Sequence, residues 1–131
     1  MVGDLLPVIW SYCRFNCLKA KTIYLRSLTV QLIGVLFWRF QGLFLKQILP
    51  DNLELVLNIF TKYYKLLEER HERKRGIMGA ASLLLLDEKP QILLNASQKI
   101  FKMLIKLVRR NAQSKLLLYK FANRNTELID D

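Results

Sequence analysis

The side chains with the clearest chemical potential are the lysines and arginines in the last third of the chain. The span Lys99–Arg124 contains eight basic residues and no acidic residue. Most of them recur at spacings of three and four, which places them in one sector of a helix. Such a surface would neutralise several phosphate groups; the competing interpretation is a solvated helix face, although such faces usually mix both signs of charge. The candidate binding residues are Lys99, Lys102, Lys106, Arg109, Arg110, Lys115 and Lys120.

Residues suited to catalysis are sparse in the rest of the chain. His71 is the single histidine and stands in a charged segment, with neither a nucleophile nor a metal-binding set beside it. The acidic pairs at 68–69 and 87–88 fall at expected helix ends. Cys13 and Cys17, one helical turn apart, are interpreted as buried apolar thiols without a disulfide. We therefore predict a protein that is not an enzyme and has no cofactor, metal ion or small-molecule substrate.

Composition indicates the class of protein but does not identify its binding partner. The 131 residues suffice for one domain, and a hydrophobic content of 52% argues against a disordered chain. The scarcity of Gly (5) and Pro (3) favours long helices over a turn-rich β fold. A net charge of +10 suits nucleic acid, an acidic protein or an anionic membrane surface.

The pattern of apolar residues predicts helices throughout, because no alternation typical of a strand is sustained. Asp51 is predicted to cap the strongly amphipathic segment that follows it. Trp10 and Trp38 lie in apolar segments and are predicted core residues. The expected helices are 4–16, 22–40, 53–67, 72–86, 91–111 and a short 114–122, followed by a polar tail. The segment 41–49 either continues the second helix or begins another after a bend near Gly42.

The apolar stretch at 28–49 raises the question of a membrane. Gln31, Arg39 and Lys46 interrupt it, so that no uninterrupted run reaches the roughly 20 residues of a spanning helix. A buried helix pair is therefore favoured, membrane insertion is disfavoured, and a subunit that inserts Leu28–Trp38 is the weaker alternative. No secretory signal is expected, since polar residues and Pro7 interrupt the apolar start.

The segment Arg70–Leu86 indicates the architecture. A charged cluster, predicted to form a solvated turn, precedes a run of small residues that includes Gly76 and Gly79 and would let a helix lie close to its neighbour. An amphipathic helix, a charged turn and a small-residue helix are typical of one α-solenoid unit. We predict an all-α, HEAT-like α-solenoid fragment of about three antiparallel helix pairs, with repeats at 1–111 and a short basic helix and frayed polar tail at 112–131. Both ends of such a stack would expose apolar faces.

The stretch 53–84 resembles a HEAT repeat of the importin-β (karyopherin) superfamily. The closest likeness is to the C-terminal half of the importins that carry ribosomal proteins and linker histone. His71-Glu72-Arg73-Lys74 is similar to the family's turn H-[DE]-[KR]-K, and the next ten residues, Arg75–Leu84, are similar to L-C-I-L-G-I-x-S-L-L. Phe60 stands where the family tends to have Trp. Arg75 departs from an apolar position, and the chain is basic where the family is acidic.

The resemblance implies a scaffold for protein binding within a nuclear transport receptor of the cytoplasm and nucleus, with a cargo or the small GTPase Ran as partner. A second hypothesis rests on charge instead of resemblance. In it, the chain is a basic helical subunit that binds RNA or an anionic membrane within a larger complex, organellar or membrane-associated, through Lys99–Arg124. The sequence leaves both open.

Overall fold

The computed structural model describes residues 5–19, 21–48 and 51–130, with side chains given at 5–19, 21–48, 51–116, 119, 120 and 123. Within these residues every regular element is a helix, which confirms the predicted all-α class. The helices are α1 (Leu6–Lys19), α2 (Ile23–Phe40), α3 (Gly42–Ile48), α4 (Leu53–Tyr63), α5 (Arg70–Leu84) and α6 (Gln91–Asp130), and a short 3-10 helix, Tyr64–Leu66, follows α4.

Local chemistry sets several of the helix ends. The Thr22 hydroxyl accepts a hydrogen bond from the Leu25 N–H (3.1 Å) and caps α2. Gln41, with φ 45°, ends α2 and separates it from α3, so that of the two alternatives for this segment the bend near Gly42 is the one found. The predicted cap at Asp51 is wrong: Asn52 occupies the cap position of α4 without a side-chain cap bond. Its side-chain oxygen instead accepts a hydrogen bond from Arg14 Nε at 3.3 Å.

Two boundaries on the C-terminal side differ from the prediction. Helix α5 begins at Arg70, so the charged cluster lies in the helix and not in a turn. Helix α6 runs unbroken through residues 111–114, where the sequence suggested a separation. Neither Gly nor Pro stands there to end it, and the side chains of Asn111 and Ser114 bond Arg73 of α5 instead of their own backbone. The division into units at 1–111 and 112–131 stays a prediction.

An aromatic cluster forms the centre of the core. The ring of Phe44 in α3 meets Trp10 and Phe37 edge-on, with centroids 5.6 and 4.7 Å apart, and Phe37 reaches Phe60 of α4 at 6.2 Å. The prediction of a buried Trp10 is confirmed. The prediction for Trp38 is wrong, because its side chain is 37% exposed and lies under the Arg39 guanidinium.

Helix α5 lies between α2 and α6, and its contacts with these two helices are more extensive than those with any other element. Its Gly79 is so close to α2 that an added Cβ would lie 2.4 Å from the Gly34 Cα, and a Cβ on Gly34 would lie 2.5 Å from the Arg75 carbonyl oxygen. The two helices therefore cross backbone to backbone. A Cβ on Gly76 would meet the side chains of Leu67 and Leu107, the second of which belongs to α6.

Helix α2 is the one helix among the described residues that is long and apolar enough to cross a membrane, and 44% of that stretch is buried within the bundle. Its polar side chains are used internally. The buried Gln31 amide donates a hydrogen bond to the Ser27 hydroxyl at 3.3 Å and accepts one from the Arg75 guanidinium. The bond from Arg75 ties α5 to α2 beside the glycine crossing.

Gly79→Ala is expected to lower the free energy of unfolding by about 2–3 kcal/mol, because the new methyl group would collide with backbone atoms that have no rotamer to escape into. Urea denaturation of the purified chain measures the effect.

The other glycines supply graded controls for that experiment. Gly76→Ala should cost less, since the atoms it meets are the flexible ends of leucine side chains. Gly42→Ala should cost nothing, because no atom lies within 4 Å of its added Cβ. Equal stability of the Gly79 and Gly42 variants would contradict the backbone crossing.

Candidate functional site

The seven predicted basic residues are all exposed, from Lys99 to Lys120. At about 100° per residue, six of them fall within an arc of about 100° on α6, which we call the basic arc: Lys99, Lys102, Lys106, Arg109, Arg110 and Lys120. Lys115 lies on another side of the helix and does not belong to the arc. The Arg124 side chain is outside the described part of the chain.

A concave site lies at the middle of the basic arc, where the 3-10 helix after α4 approaches α6. Its volume is about 350 Å³. None of its six described lining residues is acidic. The lining residues of this basic cleft are Tyr64, Lys65, Lys106, Arg109, Arg110 and Gln113.

Lys65 is the member of the basic cleft that sequence reasoning missed. It is an exposed lysine beside the buried Tyr64, and its neighbours in the sequence do not indicate a binding site. Nothing in the sequence says which part of α6 that segment will approach, because the pairing is set by tertiary packing. The cleft therefore combines four cations from two separate segments.

Lys99 has a different environment from the rest of the arc. It lines a second cleft, of about 230 Å³, between α4 and α6, and Glu54 lines the same cleft. A carboxylate there offsets part of the lysine's positive potential. The structure thus divides the predicted site into a mixed-charge end at Lys99 and an all-cationic centre at the basic cleft.

A buried arginine fixes α6 in place behind the basic cleft. Arg73 is only 5% exposed, although the sequence predicted it in a solvated turn. Its Nε donates to the Asn111 Oδ1 at 2.6 Å, Nη2 donates to the Ser114 hydroxyl at 3.0 Å, and Nη1 donates to the Glu68 carbonyl. The Asn111 amide returns a bond to the Arg70 carbonyl at 3.3 Å. These bonds hold the turn of α6 that carries the cleft residues.

The apolar face of α6 is wider than the bundle covers. Leu93 and Ile100 are fully buried. The adjoining Leu94, Phe101 and Val108, seven residues apart, are 49%, 54% and 47% exposed. We call these three residues the α6 stripe. A packed helix normally directs such residues towards a neighbour, and the described residues place none there.

Helix α1 carries a second exposed apolar row. Leu5, directly before the helix, and Val8, Tyr12 and Phe15 within it recur at spacings of three and four and are 58–69% exposed. The opposite side of α1 faces the core through buried residues such as Trp10 and Cys13. We call this row the α1 stripe. Helix α1 packs on α2, α3 and α4, whereas α6 packs on α4 and α5, so the two stripes lie on different outer helices.

The two cysteines have unequal pKa values. Their shared hydrogen bond, and then burial, raise the pKa of Cys13, while the same hydrogen bond lowers the pKa of Cys17. The partly exposed Cys17 lines a cleft of about 270 Å³. No histidine and no carboxylate is among the described residues that line this cleft, so none of them could act as a general base for the thiol.

The surroundings of His71 are richer than the sequence indicated. Ligand atoms of Glu69, His71 and Glu72 lie within 4.8 Å of one another. All three side chains already have local uses: His71 Nδ1 lies 3.3 Å from the Glu69 carboxylate, and the Glu72 carboxylate accepts a bond from the Glu68 N–H at 3.1 Å. The group lies at the surface, where clustered carboxylates are common without a metal ion.

Comparison with known proteins gives no relative for this arrangement: no family model, no curated protein and no solved structure matches the chain. The importin-β resemblance therefore stays a prediction, and functional inference rests on the surfaces described above.

Arg73→Ala is expected to lower the free energy of unfolding by about 2–4 kcal/mol, because it removes a buried guanidinium and leaves its partners on α6 without a donor. Arg73→Lys should recover only part of the loss, since one ammonium group cannot reproduce the planar fork. Hydrogen exchange should rise around Asn111. The exposed Lys74→Ala on the same helix is the control, and comparable losses for Lys74 and Arg73 would refute the anchoring role.

Proposed function

We propose that this chain is a non-enzymatic helical scaffold that binds other proteins through its outer helices. The observation that carries the proposal is the pair of uncovered apolar rows, the α1 stripe and the α6 stripe, on helices at the two sides of the bundle. Full burial of one large apolar side chain contributes about 1.5–3 kcal/mol, and the stripe side chains, 47–69% exposed, would gain roughly half of that when covered. Rows of three or four such residues therefore supply a substantial driving force for association.

Part of the packing order supports the HEAT-like form of this proposal. In stacked helix pairs, first helices pack on first helices and second helices on second helices. If α1, α4 and α6 are first helices and α2 and α5 are second helices, the contacts α1–α4, α4–α6 and α2–α5 follow that rule. Helices α4 and α5, which would form one pair, have no extensive contact with each other and depart from it. In such a stack the α6 stripe is where the next helix would pack. A place within a nuclear transport receptor, with a cargo or Ran as partner, belongs to the same proposal.

Charged substitutions on the stripes test the scaffold proposal. Tyr12→Asp with Phe15→Asp, and separately Phe101→Asp with Val108→Asp, should lower the unfolding free energy by no more than about 1 kcal/mol, because these side chains are already exposed. Each pair should remove a distinct set of proteins that co-purify with the tagged chain from its native cells, measured by quantitative mass spectrometry.

The control for these variants is Ser11→Asp with Gln91→Asp, which adds the same charge at exposed polar positions of α1 and α6. The proposal fails if the control and the stripe variants retain the same proteins in the same amounts.

The basic arc favours a second candidate function, in which the chain binds RNA within a larger complex. Its specific support is the exposure of six cations on one side of α6, with Lys65 added from another segment. At about 1.5 Å per residue, the arc extends for roughly 30 Å, long enough to follow several phosphates of a single strand. Affinity would then depend steeply on salt.

A salt titration from about 50 to 200 mM distinguishes this candidate. Charge reversal at Lys102, Lys106 and Arg109 should weaken binding to a single-stranded RNA and reduce the salt slope by roughly 2, since each phosphate contact on a single strand contributes about 0.7. Reversal at Lys19, Lys74 and Lys115 changes net charge equally at exposed sites off the arc. Equal losses in both triple variants would argue against RNA binding by the arc.

A further inference from the structure

We propose that the basic cleft binds a compact ligand that carries clustered phosphate groups, either as a soluble polyphosphorylated molecule or as the headgroup of a phosphorylated lipid. The proposal goes beyond both functions above: it needs neither the apolar stripes nor an extended strand, only the residues that meet between the 3-10 helix and α6.

The convergence of charge in the basic cleft is its first support. Lys65 and the trio Lys106, Arg109 and Arg110 come from segments far apart in the sequence, yet they line one concavity without a described acidic residue. Like charges brought together destabilise the folded chain. A bound anion would reverse that repulsion, and a ligand with several negative charges close together would do so best.

The chemical types of the lining side chains fit phosphate oxygens. The two guanidinium groups offer planar, paired N–H donors that match phosphate geometry, and the two ammonium groups act as point charges. The Gln113 amide adds both a donor and an acceptor, which would suit a ligand hydroxyl beside a phosphate. The nearly buried Tyr64 gives the cleft a rigid aromatic side.

The size and support of the basic cleft indicate a compact ligand. A volume of about 350 Å³ lies within the range of small-molecule sites, which runs from about 300 to 1,000 Å³. The Arg73 bonds to Asn111 and Ser114 fix α6 on both sides of Gln113 and directly after Arg110. The donors on α6 are therefore held in place before any ligand arrives, which reduces the ordering cost of binding.

Isothermal titration calorimetry of the full chain with inositol hexakisphosphate, at about 150 mM salt to screen weak surface contacts, tests the proposal. Two double variants with the same change in net charge are compared: Lys106→Gln with Arg109→Gln inside the cleft, and Lys102→Gln with Lys115→Gln outside it. We expect a loss of roughly a hundredfold in affinity for the first, about tenfold for each cation removed, and less than about threefold for the second.

Lys65→Gln provides an independent variant on the other segment and should weaken binding about tenfold. Unfolding curves check that each variant folds; should the double variant inside the cleft fail to fold, Lys65→Gln decides the question. Equal losses in the two double variants would overturn the proposal, because they would show binding by net charge alone. No binding by the unmodified chain, or unchanged affinity in Lys65→Gln, would overturn it as well.

A lipid arm identifies the source of the phosphates. Vesicles of phosphatidylcholine with about 5% of a bisphosphorylated phosphoinositide, a composition chosen so that the specific headgroup and not bulk surface charge attracts the chain, are sedimented with each variant. Sedimentation that depends on Lys106 and Arg109 identifies a lipid headgroup as ligand, whereas calorimetric binding without sedimentation identifies a soluble one. Binding to single-stranded RNA alone, with none to either compact probe, would overturn the proposal in favour of the RNA-binding candidate.

Discussion

The contact on which the rest of the fold depends is the crossing of Gly34 on α2 and Gly79 on α5. With no Cβ on either side, the backbones touch, and α5 sits deeper against α2 than any other pair of residues at this point would allow. That depth brings the Arg75 guanidinium to the Gln31 amide. Gly76, one turn before Gly79, borders the same crossing and also leaves room for the Leu107 side chain of α6. One small-residue crossing thus sets the position of both neighbours of α5.

Helix α5, although it lies between two other helices, carries a strongly charged first half. A buried charge is costly unless hydrogen bonds satisfy it. Arg73 meets that requirement with a carbonyl, an amide and a hydroxyl instead of a carboxylate. Because those partners lie on α6 and in the segment before α5, the arginine specifies how far α6 slides along α5. A sliding shift would separate a buried cation from its acceptors, whereas apolar contacts alone would tolerate it.

The sequence predicted what depends on local pattern. The all-α class, the bend near Gly42 and the burial of Trp10 follow from apolar spacing and turn chemistry within a few residues. Arg73 was misplaced because its neighbours in sequence are charged, whereas its burial depends on Asn111 and Ser114. Likewise, the seven basic residues were predicted from their own segment, but Lys65 joins them only through tertiary packing. The burial of Arg73 and the position of Lys65 could not be predicted, because each depends on a contact between segments that are distant in the sequence.

The surface of helix α6 is divided lengthwise among three environments. One side, with Ile100 and Leu107, is fixed in the core; the next carries the α6 stripe; the third is the basic arc. Since the stripe and the arc adjoin, a protein helix lying on the stripe would place its flank beside Lys102 and Arg109. An acidic flank would be attracted there and a basic one repelled, so the arc would select among apolar partners. Taken singly, the basic arc and the α6 stripe suggest different functions. On the same helix they form one surface, in which the stripe supplies binding energy and the arc supplies selectivity.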